Sequence, residues 1–299
     1  MGMSRRVRRV RAQVVRPAPV EAPTTAPVGA VGDTAVQAPA AASRRTREEH
    51  LVVEEPLEIR VGGASYAVTM RTPGDDFDLV AGFLVGDGVV RTPTDLTGLR
   101  YCAGVGPDGL QTYNVVDAAV GPTGLTVAAA RDRNVSGTSA CGVCGLASVD
   151  AVETTSSYPV ADDLSTVTTG LLASLPDRLA EHQELFGRTG GVHAAGLFAG
   201  DELLVAREDV GRHNAVDKVL GWALREGRLP LRGTVLQVSS RASFELVQKA
   251  AMAGVPVLAA VSAPSSLAVE LAERVGLTLV AFSRGDRFTV YAGAHRVVD

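Results

Sequence analysis

The chain has almost no lysine: of its 29 basic side chains only Lys218 and Lys249 are not arginine. Aromatic residues make up 4% of the 299 positions, with Trp222 the single tryptophan. A nucleic-acid surface needs clustered positive charge and interleaved rings, so a net charge of −4 with few aromatics gives that class no support. Cysteine is scarce too, with only Cys102, Cys141 and Cys144. Three thiols close no disulfide framework, and a chain this long can bury its own core, which points to a reducing cytoplasm. No apolar run approaches the roughly 20 residues that span a bilayer. The opening Ser4-Arg5-Arg6-Val7 hints at an export signal, but Arg8, Arg9, Arg11, Gln13 and Arg16 interrupt the apolar stretch such a signal needs.

What is present falls into three stretches. Residues 1–47 hold nine arginines, two acids and a Pro/Ala/Val-rich run without amphipathic period, a composition that predicts a disordered extension. Residues 48–150 read as a β-rich portion and 151–299 as an α/β portion, with 48–299 one compact unit. Leu51 to Val61 and Ala64 to Met70 alternate around Gly62-Gly63 like a hairpin, and Thr72-Pro73-Gly74 introduces a short helix ending near Gly86. Gln111 to Val116 and Gly124 to Ala129 read as strands, and Thr168 to Phe186 as a helix interrupted at Pro176. From Leu203 onward strands and helices alternate, which predicts right-handed crossovers, a mainly parallel sheet and an antiparallel edge strand at Arg287 to Tyr291.

Three polar clusters fall at the predicted strand ends: Arg207-Glu-Asp-Val-Gly-Arg-His-Asn214, Ser239-Ser-Arg-Ala-Ser243 and Ser262-Ala-Pro-Ser-Ser266. Hydroxyls, free amides and arginine at helix N-termini suit a phosphate, although Ser and Thr there also serve as plain caps. The candidate anion-binding residues are Arg212, His213, Asn214, Ser240 and Arg241. Asp217 and Lys218 either orient His213 and Asn214 or solvate an outer face. His193, after Gly190-Gly191, reads either as a structural histidine or as a ligand neighbour.

The stretch Ser136-Gly-Thr-Ser-Ala-Cys-Gly-Val-Cys-Gly145 holds a dithiol among small residues, a setting that leaves a thiolate accessible and reactive. Cys102 reads as a small filler. A structural zinc at Cys141 and Cys144 needs two more ligands, and no second Cys-x-x-Cys or His-x₃₋₅-His exists. Deaminase zinc chemistry needs a His-x-Glu and a Pro before the first cysteine; the chain has no His-x-Glu, and Ala140 stands in the proline position. A redox couple sits best at a helix start, whereas a sulfur carrier gains from a mobile loop.

These residues resemble a known family. Glu55-Pro-Leu-Glu-Ile, Thr72-Pro-Gly74, Ala81-Gly-Phe-Leu84, Gly137 to Gly145, Gly190-Gly-Val-His193, Glu208 to Lys218 and Ser239 to Lys249 together are similar to the formate dehydrogenase accessory sulfurtransferases, the FdhD family. The resemblance implies a three-layer α/β/α sandwich like that of cytidine deaminases, with a β-rich N-terminal portion. It implies a cytoplasmic sulfurtransferase that takes persulfide sulfur from a cysteine desulfurase. The sulfur goes to the molybdenum or tungsten bis(molybdopterin guanine dinucleotide) of formate dehydrogenase, with Cys141 as the persulfide carrier and Cys144 as its helper. Phe282, Ser283, Arg284, Gly285, Asp286 and Arg287 match the cofactor-binding segment. A homodimer is expected, and no resident metal, nucleic acid or membrane. The other reading is a nucleotide-binding scaffold whose cysteines hold a structural metal.

Overall fold

The structure is a computed structural model and describes residues 6–16, 42–102, 104, 112–130, 156–285 and 287–299. Cys141, Cys144 and Asp286 lie outside these residues. The chain begins with a two-stranded ribbon, β1 (Val7–Arg16) and β2 (Ser43–Val52), paired antiparallel from Val7↔Val52 to Arg16↔Ser43. Both strands of the ribbon reach into the stretch 1–47, whose composition predicts a mostly disordered extension. The strands bury none of their described side chains completely, so their pattern carries no core-facing periodicity for composition to reveal.

The predicted hairpin is β3 (Glu55–Val61) and β4 (Ala64–Arg71). Gly62 and Gly63 have φ of 59° and 86°, the doubly positive turn that matches the twist of two-residue hairpins. With β5 (Leu96–Tyr101) and β6 (Val115–Val120) these strands form a sheet in the order β4-β3-β6-β5. Helix α1 (Asp76–Gly86) follows β4 as expected. Gly124 to Ala129, expected as a strand, belongs to a helix, α2 (Pro122–Ala130), because Pro122 supplies a preset first turn and the alanines favour continuation.

The second half begins with a two-residue strand, β7 (Val167–Thr168), and two helices, α3 (Thr169–Ala180) and α4 (Glu184–Thr189), where the sequence suggested one. Then come β8 (His193–Ala199), β9 (Glu202–Asp209), α5 (Arg212–Arg225), β10 (Thr234–Val238), α6 (Phe244–Met252), β11 (Val257–Ala260), α7 (Ser266–Val275), β12 (Thr278–Arg284) and β13 (Arg287–Ala292). A short strand, β14 (Val297–Val298), closes the chain beside β7. Six strands form one sheet in the order β13-β12-β11-β10-β8-β9. Only β10/β11 and β11/β12 pair parallel, while β12/β13, β10/β8 and β8/β9 pair antiparallel. The sheet is mixed, not mainly parallel. The difference comes from β8, which pairs antiparallel with both β10 and β9; its Ala and Gly residues favour strands poorly and are held there by burial, so composition does not announce it.

Side chains alternate cleanly across this sheet. Val235, Val257, Ala259, Val280 and Phe198 pack with Leu172 and Leu175 of α3 on one face. Leu236, Leu258, Ala260, Leu279 and Leu197 face the other way, into a core shared with α1, α5, α6 and α7 that continues to the four-stranded sheet. Helices α1 and α5 cross at Gly82 and Gly221, where an added methyl group would overlap the carbonyl oxygens of Asp217 and Asp78. Backbones therefore touch, and the two sheets are drawn onto one frame.

A strand-edge cleft and the buried ion pairs behind it

The mixed register sets several strand ends on one edge. His193 at the start of β8 pairs with Asp209 at the end of β9, Ala195 pairs with Val238, and Val238 pairs with Ala260. The following loops lock to each other: the Ala242 N–H donates to Ala263 O at 3.1 Å and the Ser265 N–H to Ala242 O at 3.0 Å. Ser239 Oγ accepts the Ala194 N–H at 2.9 Å, so the second polar cluster is tied to β8. Between this edge and α3–α4 lies a cleft of about 630 Å³ whose floor includes His193, Ser239, Val261 and Arg284.

The segment from Phe282 to Arg287 divides into different roles. Arg284 lines the cleft, and its Nε donates to Val261 O at 3.1 Å, leaving the two terminal nitrogens for a ligand. Phe282 is 42% exposed and holds φ 51°, an unusual value for a bulky residue, at a register shift between β12 and β13. Ser283 is fully buried, and its hydroxyl lies 3.4 Å from Leu172 O. That carbonyl lacks its helical partner because Pro176, four residues on in α3, has no N–H. Gly285 turns the chain at φ 57°, and Arg287 is exposed opposite Arg284.

The residues of the first cluster separate in the same way. Arg212 opens α5, half-buried, and its Nε is buried with no hydrogen-bond partner among the described residues. His213 Nε2 lies 3.1 Å from Glu245 Oε2 and 3.3 Å from Ser243 Oγ, joining the starts of α5 and α6. Asn214 is taken up by structure: its amide donates to Met70 O at 2.7 Å and Asp209 Oδ1 at 3.0 Å, and its oxygen accepts from Thr69. Ser240 is buried and donates to Arg241 O, while Arg241 is exposed.

Asp217 and Lys218 solvate no outer face. Lys218 is fully buried, paired with Asp209 at 2.7 Å, and donates to Thr72 O at 3.0 Å. Asp209 also accepts the Thr72 and Gly211 N–H groups. Asp217 pairs with buried Lys249 at 2.7 Å, and the Lys249 ammonium stands 5.1 Å from the Phe83 ring centre. Burial pushes the Asp217 carboxyl up while Lys249 pulls it down. Burial likewise raises Glu245 to about 7, opposed by Lys249 and Arg212 and assisted by Asp217 and Asp87. His193 shifts downward, through burial and then the Arg212 charge, with Asp209 opposing.

Sequence reasoning placed Ser239 in a polar cluster and left His193 between a structural and a ligand-side role without naming either as a binding residue, and it passed over Glu245. The paired glycines before His193 were the available signal, whereas nothing local to Glu245 announces that it meets a histidine 32 positions earlier. Cys102 is half-buried and unoxidised. Among the described residues no group of three or more His, Cys, Asp or Glu is placed to hold a metal, and no helix is long and apolar enough to cross a membrane.

A mixed α/β frame thus carries arginine, a serine hydroxyl and a histidine at its strand ends around an open cleft. The FdhD/NarQ family model matches residues 52–298, and the chain belongs to that family. It is 60% identical over 254 residues to the sulfur carrier protein FdhD of Streptomyces coelicolor, covering 84% of this chain and 90% of that one. The protein of the same name from Mycobacterium tuberculosis is 54% identical over 256 residues, covering 84% and 93%. A crystal structure from Desulfotalea psychrophila, described as a formate dehydrogenase accessory protein, shares the fold with TM-score 0.65 at 24% identity, covering 97% of this chain and 99% of that one.

Proposed function

We propose that the chain is a sulfurtransferase that carries persulfide sulfur on Cys141 and delivers it for formate dehydrogenase. The observation that carries this reading is the family span of residues 52–298, which takes in both the Cys141–Cys144 dithiol and the strand-edge cleft. Relatives named sulfur carrier protein support it.

In the loading step the Cys141 thiolate attacks the outer sulfur of a persulfide on a cysteine desulfurase. The bond from Cys141 Sγ to that sulfur forms, the donor's S–S bond breaks, and the departing donor thiolate takes up the proton that Cys141 released. No net oxidation or reduction occurs. The acceptor is the molybdenum or tungsten bis(molybdopterin guanine dinucleotide). When the sulfur leaves as sulfide, Cys144 supplies the two electrons by closing a disulfide with Cys141, which a cellular dithiol then reopens. The cleft suits the nucleotide part of that acceptor, since Arg284 offers free donors on its floor and Arg212 adds positive charge on the same edge. Phe282, Gly285, Arg287 and Arg241 flank the same end of the sheet, and with Asp286, their neighbour in sequence, they complete the proposed binding segment. The same reading makes the protein a cytoplasmic homodimer built as a three-layer α/β/α sandwich similar to cytidine deaminases, with 48–299 as one unit.

Intact-protein mass spectrometry after incubation with a cysteine desulfurase and cysteine tests the carrier role. A reductant-sensitive gain of about 32 Da in the native chain and in Cys144→Ala, absent in Cys141→Ala, is expected. Absence of the gain in the native chain, together with one tightly held zinc lost on Cys144→Ser, would establish the scaffold reading instead.

A further inference from the structure

The β1–β2 ribbon serves no core. Its strands pair with each other, none of their described side chains is fully buried, and of the other described elements only α4 packs appreciably against it. Isolated two-stranded ribbons are marginal in water. This one is secured at its base. Arg6, just before β1, donates from Nη2 to Asp75 at 2.6 Å and from Nε to Pro73 O at 2.9 Å, and the Val53 N–H after β2 donates to Arg6 O at 2.8 Å. Val52 lies over Gly191, where an added Cβ would come within 3.0 Å of it. Gly191 and Phe186 of α4 both line the cleft, so the ribbon springs from the cleft's rim. Strands of 10 residues carry its far end roughly 30 Å from that base.

Its charge is as one-sided as its packing. The two strands hold seven arginines against two glutamates in a chain of net charge −4, so the remainder is strongly acidic. Glu48 pairs with Arg9 at 3.4 Å and Glu49 with Arg47. Arg8, Arg11, Arg44 and Arg45 are exposed and have no carboxylate within ion-pair distance among the described residues; Arg44 reaches only the Gln13 amide oxygen, at 3.3 Å. The register sets Arg8 and Arg45 on one face and Arg11 and Arg44 on the other. Like charges gathered on an arm that the core does not need mark a surface for an anionic partner. A two-stranded ribbon also fits a DNA major groove. Here, however, Val15 and Leu51, 48% and 49% exposed, stand among the arginines, Glu48 and Glu49 would meet phosphates, and neither strand has an aromatic ring to stack on a base. These features fit a protein surface that offers carboxylates beside apolar side chains. We propose that the ribbon is a docking arm for an acidic face of the formate dehydrogenase that receives the sulfur, which it draws to the rim of the cleft. This rests on the reading of formate dehydrogenase as the recipient, and it adds the surface that recognises it.

Biolayer interferometry of the full chain against purified formate dehydrogenase of the same organism tests the arm, because charges of this kind act chiefly on the association rate. The combined variant Arg8→Gln, Arg11→Gln, Arg44→Gln and Arg45→Gln removes the charge, and Arg→Lys at the same four positions keeps it. All four lie outside the core, so thermal midpoints stay at the native value. At low salt the glutamine variant associates about tenfold more slowly or worse, the lysine variant stays within about threefold of native, and the native rate falls steeply as salt rises. Native association in the glutamine variant, or equal slowing in both variants, overturns the arm and leaves the recipient in place. No binding of formate dehydrogenase by the native chain overturns both. Absence of the sulfur mass gain, with binding and its charge dependence intact, overturns the carrier reading alone. Tighter binding of a DNA duplex of about 20 base pairs than of the enzyme assigns the ribbon to nucleic acid. Self-association in sedimentation that the glutamine variant loses assigns it to a second copy; either result overturns the proposal.

Discussion

Replacing Lys218 with methionine tests whether the ion pair behind the strand edge holds the two halves of the core together. The ammonium is fully buried, 2.7 Å from Asp209 Oδ2, and donates to Thr72 O at 3.0 Å and Glu208 O at 3.3 Å. Methionine fills much of the same volume, so the change is mainly electrostatic. It leaves the Asp209 carboxylate buried with only neutral donors, the Thr72 N–H, the Gly211 N–H and the Asn214 amide, and strips two carbonyls of a partner. Removing one partner of a buried pair costs about 3–5 kcal/mol. With a urea slope of about 3 kcal/mol per molar for a chain of this size, the midpoint falls by roughly 1–1.7 M. Adding Asp209→Asn removes the stranded charge and recovers part of the loss, so the two changes are non-additive by more than about 1 kcal/mol. Chemical denaturation followed by far-ultraviolet circular dichroism reads both numbers. A loss below about 1 kcal/mol in Lys218→Met, or simple additivity in the double variant, refutes the reasoning.

The glycine crossing predicts that Gly221→Ala, and equally Gly82→Ala, destabilises by at least the 1–3 kcal/mol typical of overpacking, because the added methyl meets backbone oxygen and not a side chain that can turn aside; thermal melts of the two variants check this, and an unchanged midpoint in both would contradict the backbone contact. Glu245 predicts a pH dependence of stability. Its folded value is raised to about 7 from 4.5, so between those pH values the folded state binds more protons than the unfolded one, and stability falls as pH rises through that window. The full swing is roughly 3 kcal/mol. Urea midpoints measured from pH 4.5 to 7.5 should show this decline in the native chain and a flatter profile in Glu245→Gln; parallel profiles would dismiss Glu245 as its source.

Local chemistry made much of the C-terminal half readable. Thr234–Val238, Phe244–Met252 and Ser266–Val275 are short, strongly patterned and bounded by turn residues, so their identity follows from neighbours a few positions away. The Gly62-Gly63 hairpin and the edge strand at Arg287 are local in the same sense. The β1–β2 ribbon and the strand β8 were not readable, because one has almost no buried face and the other is built of residues with little strand preference.

The sequence alone determined the residue types: a dithiol among small residues, arginines and hydroxyls at strand ends, and enough apolar alternation for an α/β core. Only the tertiary structure decided which of those groups line the cleft and which are buried behind it. Asn214 and Ser283 look like their neighbours on paper, yet the first is spent on Met70 and Asp209 and the second on the carbonyl that Pro176 leaves unpaired. Lys218, which the sequence left between orienting His213 and Asn214 and solvating an outer face, is enclosed with Asp209, and Lys249 with Asp217, by the packing of α1, α5 and α6. The physical reason is that a polar side chain's role depends on which partner reaches it first. Apart from nearby Asp209, those partners come from segments 32 to 144 residues away, brought close by antiparallel register and a glycine helix crossing.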